Sequence, residues 1–475
     1  MRRISYRSGL VRGRRAGSAF GALAGTALGI LLGLVTIATV AAVAVGNSDA
    51  PTPDVVDGAH VPPLLTLPSE PITLRYAIVC PPPGGDLESG APCDGSGDVY
   101  VRPGQAGRFT KLALRRGDDA REGRYFVDVP ASIASSPTGF SYYAILRNNA
   151  TGTSITLPAA GAAAPQLSLP LARPVSLDLP EHVFGAGRRA TERVVAAPWG
   201  RRVGEAGLSG GRQVGFAGPS TFDVTADGTI VLLDQVNGRL QRWAPGARAA
   251  SPVRIDVSEA IAELSVGPDG AAYVLQPAPR AGGAPELWSF GPLGNLLGRT
   301  TLSDRTWGAM RMGPEGPEVQ QLPSEQWMPV RAQGRLLDPL AQTRGGRAGR
   351  TVSGGREVVV LRTGAYELRL ALVGAGRILS GWRIVGATPL GEVQLAEPLG
   401  TRMVVVFKTY TEDQDEFVVL VLDGTGIVKS FSLPSAQWAE AAPLSRFRLH
   451  GTSLLQLGST AQGMFIDRFE LEERE

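Results

Sequence analysis

The chain has 475 residues, 43% of them hydrophobic, which excludes wholesale disorder and leaves room for an anchor plus two domains of about 100 to 200 residues each. Its formal net charge is +3, but Arg2, Arg3, Arg7, Arg12, Arg14 and Arg15 crowd the start, and removing those six leaves 3 − 6 = −3 for residues 16–475. A mildly acidic body lacks the basic surface that phosphate contacts need, so no nucleic-acid partner is expected.

Residues 1–15 read as a basic cytoplasmic tail. From Ala16 to Ser48 no residue is charged. About 20 apolar residues span a bilayer as a helix, so residues 16–46 are expected to be a transmembrane helix that anchors the chain in the cell membrane. The arginines before it, with Asp49, Asp54 and Asp57 after it, put the N-terminus in the cytoplasm and the remaining domains outside. A cleaved signal peptide ending near Ala42-Val43-Ala44 is the competing reading, but the apolar stretch is about twice the usual ~7–15 residues of such a segment.

Residues 47–70 carry Pro51, Pro53, Pro62, Pro63 and Pro68 and read as a stiff extended linker. Over 71–180, short runs with period-two patterning (Ile72–Val79, Asp98–Arg102, Phe109–Leu114, Arg124–Val129, Phe140–Leu146, Ser154–Leu157, Pro174–Leu179) alternate with Gly-rich turns. Seven such strands predict an antiparallel β-sandwich. Cys80 and Cys93 are the two cysteines of the chain and lie beyond the membrane segment, where a structural disulfide is expected. A metal pair would need further ligands, and His60, His182 and His450 are scattered. Asp94-Gly-Ser-Gly-Asp98 reads as a plain turn, because two carboxylates fall short of calcium's six to eight oxygens.

Residues 190–475 repeat themselves. Phe222-Asp-Val-Thr-Ala-Asp227-Gly228 is followed by Leu264-Ser-Val-Gly-Pro-Asp269-Gly270, then Met310-Arg-Met-Gly-Pro-Glu315-Gly316. Degenerate copies lie around Gly355 and Gly400, and a last one at Phe447–Leu457. The spacing from Gly228 to Gly451 holds five intervals, which predicts six blades, with five or seven open as alternatives. A small sheet cannot bury its faces alone, whereas a ring of them shares one core and protects its edges. All seven tryptophans fall in this half and are expected to pack between blades, with a binding patch as the other reading. The fold class is therefore all-β: a transmembrane helix, a β-sandwich and a β-propeller.

The phrase Asp227-Gly228-Thr-Ile-Val-Leu-Leu-Asp234-Gln-Val-Asn237-Gly-Arg239 resembles NHL-type β-propeller repeats, matching at Asp227, Gly228, Asp234, Asn237 and Arg239. Tyr100-Val-Arg, Gly123-Arg-Tyr125, Val129-Pro130 and Phe140-Ser-Tyr-Tyr143 resemble immunoglobulin-like or fibronectin-III-like modules of secreted bacterial proteins. The NHL resemblance implies a binding or scaffolding platform, and the chain as a whole is similar to bacterial single-pass membrane-anchored proteins. A few propellers of that kind are lyases with metal and histidine-rich centres, while this half of the chain holds one histidine, His450.

No catalytic constellation emerges, since the histidines stand in no recognisable motif, and no cofactor or metal is implied. The acidic run Glu412-Asp-Gln-Asp415-Glu416 reads as a solvated hairpin loop. Arg344, Arg347 and Arg350 form a basic loop that would meet an acidic partner face or an anionic envelope polymer. The expectation is a membrane-anchored extracytoplasmic protein that binds a protein or cell-envelope partner. The alternative is a propeller-type enzyme, a lyase or glycan-acting protein, with its site in the central funnel.

Overall fold

The structure is a computed structural model that describes residues 57–80, 91–92, 94–117, 124–158, 160–211, 215–276, 285–302, 307–313, 316–321, 326–330, 356–441 and 446–472. The expected transmembrane helix at 16–46 and the basic loop of Arg344, Arg347 and Arg350 lie outside these residues. Among the described residues no helix is long and apolar enough to cross a membrane.

Two sheets packed face to face make the N-terminal domain. One orders the strands Asp57–His60, Thr73–Cys80, Arg124–Asp128 and Arg115–Arg116, with Ala91–Pro92 beside Thr73–Cys80. The other orders Leu65–Thr66, Gln166–Pro170, Phe140–Asn148, Gly95–Pro103 and Thr110–Ala113, with Ser154–Leu157 beside Phe140–Asn148. Alternate residues of each strand point inward, so Leu74, Tyr76, Ile78, Tyr125 and Val127 meet Val99, Val101, Phe140, Tyr142 and Leu146 in one core. Cys80 pairs with Ala91 across the sheet; Cys93 lies outside the described residues, and with it the expected disulfide.

His60 is wedged into this core. Its Nδ1 lies 2.7 Å from the Arg75 carbonyl, which only accepts, so Nδ1 donates and Nε2 accepts from the Tyr142 hydroxyl at 2.7 Å. The ring stacks on Tyr76 at 4.3 Å. Burial pushes the imidazole down to about 4 from 6.5, against the bond to Arg75 that raises it. The unfolded chain therefore takes up a proton as pH falls below 6.5 while the folded chain does not, and stability drops until about pH 4 is passed. The loss is at most about 3.5 kcal/mol at about 1.4 kcal/mol per unit. Melting temperature measured from pH 7 to 4 is expected to fall more steeply for the native chain than for His60→Phe.

Six sheets of three or four strands follow in a propeller-like ring. The first holds Thr221–Val224, Ile230–Asp234, Arg239–Trp243 and Ser251–Arg254; the second holds Glu263–Val266, Ala272–Gln276, Glu286–Phe290 and Leu296–Thr301. The third holds Trp307–Gly313, Gly316–Gln321 and Gln326–Pro329. The fourth holds Arg356–Arg362, Glu367–Gly374 and Arg377–Gly386, and the fifth Leu390–Leu399, Arg402–Tyr410, Asp415–Leu422 and Ile427–Pro434. The sixth holds Phe447–His450, Ser453–Thr460 and Gly463–Glu470.

The first strands of neighbouring sheets adjoin from the first to the third and from the fourth through the sixth back to the first. Between the third and fourth, Glu357 is close enough to attract Arg311. The first, second, fourth, fifth and sixth sheets each bury apolar clusters on both faces, which explains the uninterrupted apolar runs. In Arg402–Tyr410, Met403, Val405 and Phe407 pack toward the fourth sheet while Val404 and Val406 pack toward the sixth. Gly228 and Gly270, which turn the first strand into the second, have φ of +85° and +78°, a region that favours glycine. Trp243, Trp288 and Trp382 are buried between sheets as expected, whereas Trp438 is 36% exposed.

Two early strands complete the ring. Glu192–Pro198 pairs antiparallel with Gly463–Glu470 and joins the end of the chain to the beginning of the repeats. Val175–Leu179, expected as the last strand of the sandwich, instead lies parallel to Arg377–Gly386 at the outside of the fourth sheet. The expected linker 47–70 also differs, because Asp57–His60 and Leu65–Thr66 are strands of the sandwich. Leu64, Leu65, Leu167, Leu169 and Leu171 pack on Val359, Ala371 and Val373, the face of the fourth sheet turned away from the fifth. The sandwich is thus docked on the ring rather than tethered to it.

The fourth sheet is out of phase with its neighbours. Three residues, 387–389, link Arg377–Gly386 to Leu390–Leu399, and Leu390 N donates to the Ala365 carbonyl at 2.6 Å. Arg356–Arg362 consequently runs against Leu390–Leu399, in the sense of a second strand. That agrees with the repeat spacing, in which Gly355 precedes this strand as Gly400 precedes Arg402–Tyr410.

Candidate functional site

The ring's axis is where convergent side chains would make a site. In three successive repeats the residue five before the turn glycine is polar: Asp223 before Gly228, Ser265 before Gly270 and Arg311 before Gly316. On the first two of these strands Phe222 and Val224, and Leu264 and Val266, flank the polar position as buried apolar neighbours. With Glu397 and Arg448 they line the axial cavity, together with Met310, Met312 and Leu449.

Arg448 crosses this space. Its Nε lies 3.3 Å from Asp223 Oδ1, and its Nη2 donates to the Leu264 carbonyl at 3.4 Å. One guanidinium from the sixth sheet therefore ties the first strands of the first and second. Asp223 adds a bond of its own, accepting from Val266 N at 2.7 Å. On the other side, Arg311 Nε donates to Glu318 Oε2 at 2.6 Å, both side chains nearly sealed from water. Ion pairs so placed are costly to break, because the surviving partner is left charged and dry. The cavity they leave has a volume of about 10 Å³, room for about one water.

Glu263, on the first strand of the second sheet, is fully enclosed. Burial pushes its carboxyl up to about 7, and Arg448 draws it back only in part. A folded value above the unfolded 4.5 means that this carboxyl's contribution to stability is greatest at low pH and is lost as pH rises from 4.5 through about 7, opposite in sign to that of His60. Glu263→Gln is expected to remove that slope, read as the difference in melting temperature between the variant and the native chain from pH 4 to 8. His450, the remaining histidine of the ring, does not line the cavity; a Cβ built on Gly228 would lie 3.2 Å from its Nε2, which places it at the first turn.

The residues that carry the NHL resemblance do structural work at the rim. Asp234, fully buried, accepts from Arg239 Nε (2.8 Å), Asn237 Nδ2 (2.9 Å), Gln241 Nε2 (3.1 Å) and Gly207 N (2.9 Å). The other nitrogens of Arg239 donate to the carbonyls of Arg201, Arg202 and Glu205. This clamp fixes the loop 199–207 that leads from the closing strand into the first sheet. Asp227 accepts from Thr225 Oγ1 and Thr229 N within its own turn. Above the loop, Phe216 stacks on Trp438 at 4.4 Å, with Trp199 5.8 Å from the same ring.

The acidic run is a hairpin turn as expected, but two of its members are engaged. Asp415 pairs with Lys408, and Glu416 accepts from Gly185 N at 2.7 Å and faces His182 Nε2 at 2.9 Å, holding segment 180–191 across the fifth sheet. Asp94 and Asp98 do not share a turn: Asp98 sits in a strand beside Lys111, and Asp94 approaches Arg116. No group of three or more metal-binding side chains occurs among the described residues.

No family model matches the chain, and no curated protein matches it. Solved structures do. A member of the DUF4221 family from Bacteroides vulgatus aligns at TM-score 0.39 and 9% identity, covering 59% of this chain and 97% of that one. A protein of unknown function from Bacteroides caccae aligns at 0.33 and 14% identity, covering 48% and 92%. Virginiamycin B lyase from Staphylococcus aureus aligns at 0.30 and 8% identity, covering 55% and 87%. Likenesses this distant carry nothing about activity, and the propeller-like architecture rests on the sheets of this chain.

Proposed function

We propose that this chain is a membrane-anchored extracytoplasmic binding or scaffolding protein, with residues 16–46 as a single-pass anchor and the ring as the platform that meets a protein or cell-envelope partner. In this reading the ring is a six-bladed propeller of NHL type, the sandwich is immunoglobulin-like, and Cys80 and Cys93 form a structural disulfide. Arg344, Arg347 and Arg350 offer a cationic contact to that partner.

The supporting observation is the axis itself. Arg448 binds across it to Asp223 and to the Leu264 carbonyl, and the remaining volume is about 10 Å³. Small-molecule sites are clefts of about 300–1,000 Å³, so recognition is assigned to the outer surface and loops. Cross-linking in intact cells, detergent solubilisation and affinity capture of the tagged chain test this. One envelope protein or polymer is expected to be enriched, and to be lost when Arg344, Arg347 and Arg350 are replaced by glutamate. Glycan cleavage or lyase turnover by the purified chain, abolished by Glu263→Gln, would replace the reading with the enzymatic one.

A further inference from the structure

Three exposed leucines crowd one hairpin tip of the second sheet, at the turn from Glu286–Phe290 to Leu296–Thr301. Leu293 is 89% exposed, Leu296 46% and Leu297 59%. A single exposed leucine is ordinary; three within five residues on a fixed tip are not. The tip is fixed because Gly291 N donates to Asn295 O and Gly294 N to Gly291 O, at 2.8 and 2.9 Å. It also lies hard against the first sheet, where a Cβ on Gly294, at φ +84°, would come 2.3 Å from the Arg254 carbonyl. The leucines cannot fold back onto the ring. The corresponding turn of the fifth sheet, on the opposite side of the ring, leads into Ile427 and Val428, 40% and 45% exposed.

We propose that this leucine tip is a second membrane contact, its side chains entering the interfacial layer of the bilayer that holds the chain. The inference rests on the anchored reading above. The uncharged stretch ends at Ser48 and the first strand begins at Asp57, so the nine steps between them reach no further than about 32 Å at ~3.5 Å each. The body is held at the lipid surface, where a weak apolar contact gains from high effective concentration. Charge adds little. Arg254 and Arg299 stand near the tip, but Asp256 faces Arg299 at 3.8 Å, and Asp269 precedes Gly270 in the turn beside Pro292. Apolar insertion rather than attraction to anionic headgroups drives the contact.

The test uses the full chain in phosphatidylcholine vesicles, with an environment-sensitive fluorophore on Leu293→Cys or, as control, on Val183→Cys, which is 74% exposed on the segment crossing the fifth sheet. Cys80 and Cys93 are replaced by serine in both. With a nitroxide quencher on the lipid, quenching at 293 is expected to exceed that at 183 several-fold, and to be unchanged when anionic lipid is added. Equal quenching at the two positions overturns the proposal, as does quenching at 293 that appears only with anionic lipid. Carbonate extraction in parallel scores the anchor separately: a chain that is retained without quenching at 293 keeps the anchor and loses the tip, and a chain that is stripped yet quenched on readdition keeps the tip and loses the anchor.

Discussion

Arg369→Ala is expected to uncouple the sandwich from the ring at a cost of about 3–5 kcal/mol, the usual penalty for removing one member of a buried ion pair. The Arg369 side chain is 5% exposed and bonds across the interface. Its Nη1 donates to Leu65 O at 2.9 Å and to Glu70 Oε2 at 2.6 Å, its Nη2 to Glu70 Oε1 at 2.8 Å, and its Nε to Glu367 Oε1 at 2.7 Å. Burial alone would raise the Glu70 and Glu367 carboxyls, yet Arg369 holds Glu70, and Arg383 together with Arg369 holds Glu367, below the ordinary range. Without it, two carboxylates face each other beside the leucines of the docking cluster, with Arg383 left to serve Glu367 alone. Calorimetry would show the effect as a new low-temperature transition that the native chain lacks. Arg369→Lys keeps the charge but not the fork, and is expected to restore part of the loss. An unchanged melting profile in the alanine variant would mean that the leucines dock the sandwich without help.

Asp234→Ala should be comparably severe. Four donors converge on this one fully buried carboxylate, and its loss leaves the Arg239 guanidinium, itself 7% exposed, held only by three carbonyls. About 3–5 kcal/mol is expected here too. The local signature matters more than the total. The loop 199–207 loses the bond from Gly207 N, and Arg201 and Arg202 become open to trypsin while the rest of the ring stays resistant. Asp234→Asn keeps acceptor capacity without the charge and is expected to fall between. Cleavage at those arginines as slow as in the native chain would show that the loop is held by other contacts.

Both variants bear on what could be read from the sequence. The turn glycines were legible because a repeat advertises its own period, and positive φ at Gly228 and Gly270 is the physical reason those glycines recur. Asp234, Asn237 and Arg239 were legible as a pattern; their work as a clamp on a loop some thirty residues earlier in the chain was not. Period-two alternation marks Val175–Leu179 as a strand but says nothing of its partner, which lies some two hundred residues on in the fourth sheet. Leu65–Thr66 is too short, and too close to prolines, to stand out from a linker. The axial charges were missed for another reason. A charged residue in a strand ordinarily reads as a solvent-facing position, and Arg311 and Arg448 turn inward only because a ring gives each sheet an inner edge. The signal was present in the fixed offset of Asp223, Ser265 and Arg311 from their glycines.

Pairing of Glu192–Pro198 with Gly463–Glu470 shuts the ring of sheets. Ala197 and Met464 are buried partners in that pairing, within reach of a disulfide. In a background with Cys80 and Cys93 replaced by serine, Ala197→Cys with Met464→Cys should oxidise spontaneously in the folded chain and run as a compact species without reductant. A control pairing Ala197→Cys with Leu454→Cys, in the same sheet but on the opposite face of the middle strand, should stay reduced. Failure of 197 and 464 to join, or equal joining of the control, would contradict a ring closed by these two strands.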